Sequence, residues 1–192
     1  MKWSELSKEL QTGDIILFHQ DGFISRLIDI VTDARFSHVG MVVRLPDKPA
    51  DEALHFWQSF EPEGGVVFDA LPGFLRKYQK DYKGTFMLRR LNVERTPELW
   101  ESLPAFMAEM KGRPFPSIWG MIKHFFEGKL GIDSGEKNFF CSDLVADTFM
   151  QAGLLPKKPP PNYYAPKNFA TSKDMKFLLG ASFSERIPIE LD

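Results

Sequence analysis

A single cysteine, Cys141, and only four histidines stand in a chain of 192 residues. One thiol rules out an internal disulfide framework, and with scattered histidines it leaves no zinc pattern of the CxxC type. We therefore expect no metal and no cofactor. A surplus of positive charge is also missing. The net charge of -2 and pI near 6.1 do not give the broad positive field that nucleic-acid binding requires. Long apolar runs are absent too: no stretch approaches the ~20 residues of a membrane span. The opening "MKWSELSKELQTGD" carries charges every few residues where a signal peptide would place its apolar core. The expectation is a cytoplasmic protein with no nucleic-acid partner.

Aromatic residues are abundant, with 18 Phe and 4 Trp. They can fill a core, line an apolar groove or form a membrane-facing patch. The length suits one domain over 1–192, long enough to bury roughly two-thirds of its unfolded surface.

The first half reads as short strands between turns. "GDIILF" (13–18) is apolar after a Gly-Asp turn, and "ISRLIDIVT" (24–32) places Ile24, Leu27, Ile28 and Val31 on one helix face. "SHVGMVVRL" (37–45), "ALHFWQSF" (53–60), "GVVFDAL" (65–71) and "GTFMLRRL" (84–91) then follow one another with the spacing of an antiparallel meander. The second half changes period. "TPELWESLPAFMAEMKG" (96–112) opens with Thr96 as N-cap and Pro97 at the first helical position, and Pro104 should kink or divide it. A second helix is expected over 115–131, with Ile118, Met121, Ile122 and Phe125 on one side. A third follows in "NFFCSDLVADTFMQAGL" (138–154), ended by Gly153, and the proline-rich 154–166 reads as an extended surface wrap. The fold class is α+β, about five antiparallel strands packed against helices.

Cys141 lies four residues before Val145, on the inward face at the start of the third helix. Unpaired N–H groups of a first helical turn stabilise a thiolate and can hold the oxyanion formed when it attacks a carbonyl. Free cysteine is equally one of the most buried residue types, a small apolar filler. A nucleophilic thiol needs a base. His19 and His124 read as boundary or surface residues, and His55 points away from Gln58 by strand alternation. His38 stands at the mouth of "SHVGMVV", and Gly40 on the same face leaves room for another segment to approach its ring. An orienting partner for the ring is offered by Gln58 or by Glu52, of the same parity on the next strand.

The order "TGDIILF", "SHVGMVV", an alternating strand, then "FFCSDLV" opening a helix resembles the circularly permuted branch of the NlpC-type papain-like cysteine hydrolases, in which the histidine strand precedes the cysteine helix. The resemblance runs from about Thr12 to about Ser172, where "YAPKNFATS" is similar to the tail element of that branch. It implies a permuted papain-like fold with a small open barrel, Cys141 as nucleophile, His38 as base and Gln58 as the third catalytic residue. Many members carry Glu at the third position, which keeps Glu52 in view. Relatives often have Gly-Lys-Pro-Tyr-Asp where this chain has "GRPFP", so Phe115 lacks a hydroxyl that Tyr163 or Tyr164 would have to supply. Asp14, Ser37 and Ser142, beside the matched motifs, are expected to meet substrate with them.

The activity implied is hydrolysis of a small peptide amide, such as a γ-D-glutamyl peptide, through an acyl-thioester on Cys141. The lecithin:retinol acyltransferase relatives share the permuted order and carry fatty acyl groups. The phenylalanine-rich helix around Trp119, Phe125 and Phe126 would suit a lipid. Those relatives typically place Asn before the cysteine and Glu-His after it, so the flanks "FFCSDLV" favour an amidase, with membrane contact not favoured. A pocket that only binds a ligand is the third alternative.

Overall fold

The computed structural model describes residues 1–19, 36–50, 52–132 and 140–192, with several side chains between 118 and 125 left out. The helix expected over 24–32 and the inward stripe of Ile118, Met121, Ile122 and Phe125 fall outside what is described.

In chain order the elements are α1 (Trp3–Glu9), β1 (Ile15–His19), β2 (His38–Arg44), β3 (Leu54–Phe60), β4 (Gly65–Ala70), α2 (Leu71–Tyr82), β5 (Thr85–Arg89), β6 (Leu91–Asn92), α3 (Leu103–Met110), α4 (Ile118–Lys129), α5 (Cys141–Gln151), α6 (Pro166–Thr171), β7 (Ser182–Phe183) and β8 (Ile187–Ile189). The main sheet has six antiparallel strands in the order β4-β3-β2-β1-β5-β8, and β6 pairs with β7 in a separate two-stranded ribbon. The expected sheet of about five strands thus gains a sixth. It is not a closed barrel: among the described residues β4 and β8 end the order without pairing to each other. β8 is "IPI", too short to announce itself, and Pro188 is tolerated because an edge strand pairs on one side only.

Strand alternation divides the interior in two. Odd positions of the central strands, Ile15, Leu17, Val39, Met41, Val43 and Trp57, pack against Leu144, Val145 and Phe149 of α5. Even positions, Ile16, Phe18, Val42, Leu54 and Phe56, pack against Leu6 of α1 and Leu71, Leu75 and Tyr78 of α2. Helices on both faces explain why "IILF" is apolar without alternation. Leu6, Leu10 and Ile189 are buried in the second core, so the packed unit reaches beyond the 12–172 of the family resemblance on both sides. Trp57 Nε1 donates to Thr148 Oγ1 at 3.1 Å and fastens α5 to β3.

Prolines mark three stretches where the elements can be set against expectation. α2 fills the stretch between the expected strands 65–71 and 84–91; Pro72 lies in the first helical turn, where its missing N–H costs nothing, and Leu71, Phe74, Leu75 and Tyr78 then form the buried stripe. Pro104 divides its helix as expected, into a 3-10 turn at Pro97–Trp100 and α3, but Thr96 occupies the cap position without a side-chain capping bond. The stretch 154–166 is not an extended wrap: it holds a 3-10 turn at Pro161–Tyr163 and leads into α6, whose start is closed by Ala165 N–H donating to Asn168 Oδ1 at 2.8 Å.

Candidate active site

The site lies where β2 and β3 part. Val42 N–H donates to the Asp14 carbonyl at 2.7 Å, so even residues of β2 face β1 with their backbone groups. Odd residues therefore face β3, where pairing begins at Met41 opposite Trp57. Val39 lies beyond that point, and its N–H meets the sulfur of Cys141 instead. The start of α5 thus inserts at the opening between the strands, beside the residue that follows His38. The sulfur also faces the N–H groups of Cys141 and Ser142 in the first turn of α5. Phe140 takes the cap position, and its N–H donates to Asp143 Oδ2 at 3.4 Å.

His38 is 5% exposed, with Phe18 and Phe60 rings at centroid distances of 5.2 Å. Its Nε2 is 2.7 Å from Oε1 of Gln58, a residue with no exposed surface. On the far side Gln58 Nε2 donates to Asp69 Oδ2 at 3.4 Å. Glu52 is exposed in the turn before β3, away from the ring. Of the two candidates for the orienting partner, then, the fold brings Gln58 to His38. Asp69 had gone unnoticed, although it is the one acidic residue of β4.

Burial decides the charge states. Desolvation pushes the Cys141 thiol up to about 12, against the opposing pull of the Val39, Ser142 and Cys141 N–H groups and with the Asp143 carboxylate adding to the rise. Desolvation also lowers His38 to about 4, only partly offset by the bond to Gln58. Asp143 is itself raised to about 7 by burial, with Phe140 N–H opposing and Asp147 adding. At neutral pH Cys141 is a thiol and His38 a neutral imidazole. The thiolate expected from a helix start is not the resting form, because desolvation outweighs three N–H dipoles.

Other expected residues fall elsewhere. Asp14 lies four residues along β1 from Phe18, the partner of His38, or roughly 13 Å at strand rise. Its carboxylate accepts from Gln11 N–H at 2.9 Å, Leu91 N–H at 3.0 Å and Arg95 at 2.9 Å, so it closes a turn instead of meeting substrate. The space beside Gly40 is filled by the Phe56 ring, where a Cβ would come within 2.3 Å. No helix end enters there, and the approach to His38 is along the β2–β3 opening. Ser37, half-buried, donates to the Phe18 carbonyl at 3.4 Å, and Ser142 is buried one residue after the thiol. Tyr163 packs edge-on against Tyr164, with Lys129 Nζ 3.7 Å above its ring, and the Tyr164 hydroxyl is buried without a partner. The Phe115 ring meets Phe140 edge-to-face at 5.4 Å, next to Cys141 in sequence.

Histidine, cysteine, aspartate and glutamate side chains form no group of three suited to a metal among the described residues. No described helix is long and apolar enough to cross a membrane.

An open antiparallel sheet covered by helices, with a buried thiol and imidazole at one strand opening, defines a mixed α+β protein. No family model matches the chain, and no curated protein matches it. Among solved structures it is similar in fold to the metalloprotein YiiX from Escherichia coli O157:H7, DUF1105, with a TM-score of 0.52 and 22% identity. The match covers 74% of this chain and 66% of that one, so the chain spans about two-thirds of the neighbour's length. At that identity the likeness is one of fold.

Proposed function

We propose that the protein is a cysteine hydrolase of the circularly permuted papain-like kind, acting by acyl transfer on Cys141. The observation that carries this reading is the pairing of His38 Nε2 with Gln58 Oε1 at 2.7 Å at the strand opening that receives the Cys141 sulfur. With Nε2 engaged, Nδ1 is the ring nitrogen left to act as base. His38 takes the thiol proton as the sulfur attacks an amide carbonyl, in step with attack because neither group is charged at rest. The N–H groups of Cys141 and Ser142 receive the developing oxyanion, His38 returns the proton to the leaving amine, and water then releases the acyl group. A small peptide amide, of the γ-D-glutamyl kind, is the favoured substrate.

The second reading, a lipid acyltransferase, draws on one observation: Phe126, Leu130 and Ile132 at the end of α4 are 61%, 76% and 51% exposed. Incubation with γ-D-glutamyl peptides and with phospholipid vesicles, followed by intact-mass measurement, separates the two. A peptidyl adduct on Cys141 is expected. A fatty-acyl adduct would select the lipid reading, and no adduct with either would reject both in favour of a pocket that only binds.

A further inference from the structure

We infer that Asp69 is a positioning residue that fixes the tautomer of His38 through Gln58. The inference rests on His38 serving as the base, as proposed above. A glutamine amide has a donor end and an acceptor end, and a buried imidazole nitrogen can bond to either, depending on where its own hydrogen sits. Gln58 on its own therefore leaves the tautomer open.

Asp69 removes the ambiguity. An ionised carboxylate only accepts hydrogen bonds, and Gln58 Nε2 donates to Asp69 Oδ2 at 3.4 Å, so the amide end toward Asp69 is the NH2 group. The carbonyl end then faces His38, and Nε2, 2.7 Å away, must carry the ring hydrogen. That leaves a lone pair on Nδ1. The strand register builds this chain of contacts: Phe56 pairs with Asp69 and Gln58 with Val67, so Asp69 reaches Gln58 along the diagonal between β3 and β4. Burial raises Asp69, and the bond from Gln58 with Lys77 and Lys111 opposes that rise while Glu63 adds to it. Without the carboxylate, the amide can turn and offer its NH2 to His38. Nδ1 then holds the hydrogen and cannot accept the thiol proton.

The test is long-range proton–nitrogen NMR of the imidazoles in 15N-labelled protein near pH 7.5, with His38 assigned by its absence in His38→Asn. Wild type should show Nε2 protonated and Nδ1 bare. Asp69→Ala should shift the tautomer ratio by roughly tenfold, the weight of one ordinary hydrogen bond, and slow acylation of Cys141 by an activated ester by as much as the Nε2-protonated fraction falls. Asp69→Asn, whose side-chain oxygen can accept from the same NH2, should restore both, which a merely structural role would not require. Asp69→Val serves if the alanine variant does not fold. Nδ1 protonated in wild type, or an unchanged ratio in both folded apolar variants, would overturn the inference. Because the spectrum needs no turnover, a ratio that responds to Asp69 without any acylation would uphold this role and reject the proposed hydrolase.

Discussion

β1 and β2 run side by side, and the two ends of the pair treat buried polar groups in opposite ways. At the Asp14 end burial raises the carboxyl, and two backbone N–H groups and Arg95 bond to it and oppose that rise. At the His38 end burial holds the imidazole, among aromatic rings, and the thiol neutral, and Asp143, which acts on the thiol, is pushed up to about 7. The first end closes a turn. The second keeps groups whose protonation can change when substrate arrives. Both ends are desolvated; the Asp14 end answers with several hydrogen bonds and an ion pair, and the His38 end with neutral groups that make the candidate chemistry.

The largest effect that separates the ends should come from exchanging which one is damaged. Asp14→Ala leaves the Gln11 and Leu91 N–H groups and Arg95 without their acceptor. It should lower unfolding stability by about 3 kcal/mol or more in urea titration, while the folded fraction acylates Cys141 at the wild-type rate. Cys141→Ala should do the reverse, abolishing acylation with a stability change of about 1 kcal/mol or less. Gln58→Ala, next in size, should slow acylation on the order of a hundredfold by freeing the His38 ring. Glu52→Ala, in an exposed turn, should not; the opposite result would reassign the orienting role.

Stability against pH sharpens the same contrast. His38 falls from 6.5 to about 4 on folding, so the unfolded chain takes up a proton first and stability is lost as pH drops from 6.5 to 4. Asp143 rises from 3.8 to about 7, so the unfolded chain gives up its proton first and stability is lost as pH climbs from about 4 to 7. The two slopes oppose each other, each worth about 3 to 4 kcal/mol at most. Relative to wild type, His38→Asn should make stability fall more as pH climbs through that window, and Asp143→Asn should make it fall more as pH drops. Chemical denaturation midpoints at pH 4.5 and 6.5 are sufficient to read this. A smaller effect is expected at the thiol: Asp143→Asn removes a negative charge beside Cys141 while keeping an acceptor for Phe140 N–H. Iodoacetamide should therefore label that variant faster than wild type at pH 9.

Sequence pattern reached the β strands well where apolar residues were dense. "SHVGMVV" and "ALHFWQSF" could be placed because Val, Phe and Trp fill both faces, and "CSDLVADTFM" showed its helix through Val145 and Phe149. α2 and β8 escaped because each carries a proline, Pro72 in a first helical turn and Pro188 in a three-residue edge strand, and neither shows a long periodic pattern. At the site, Cys141, His38 and Gln58 could be singled out from motif order and strand parity. Asp69 could not, since its contact with Gln58 depends on the β3–β4 register. Nor could the charge states: a helix start argues for a thiolate, and only three-dimensional burial shows that desolvation prevails. Asp14 was misplaced because a Gly-Asp turn before a strand looks the same whether its carboxylate meets substrate or closes the chain.

The most direct test is transfer of an acetyl group from p-nitrophenyl acetate, followed by intact mass and peptide mapping in wild type and His38→Ala. We expect one acetyl group on Cys141, with the rate falling on the order of a hundredfold or more when the base is removed. Equal rates in the two proteins, or acetylation that spares Cys141, would contradict a Cys141–His38 acyl-transfer site.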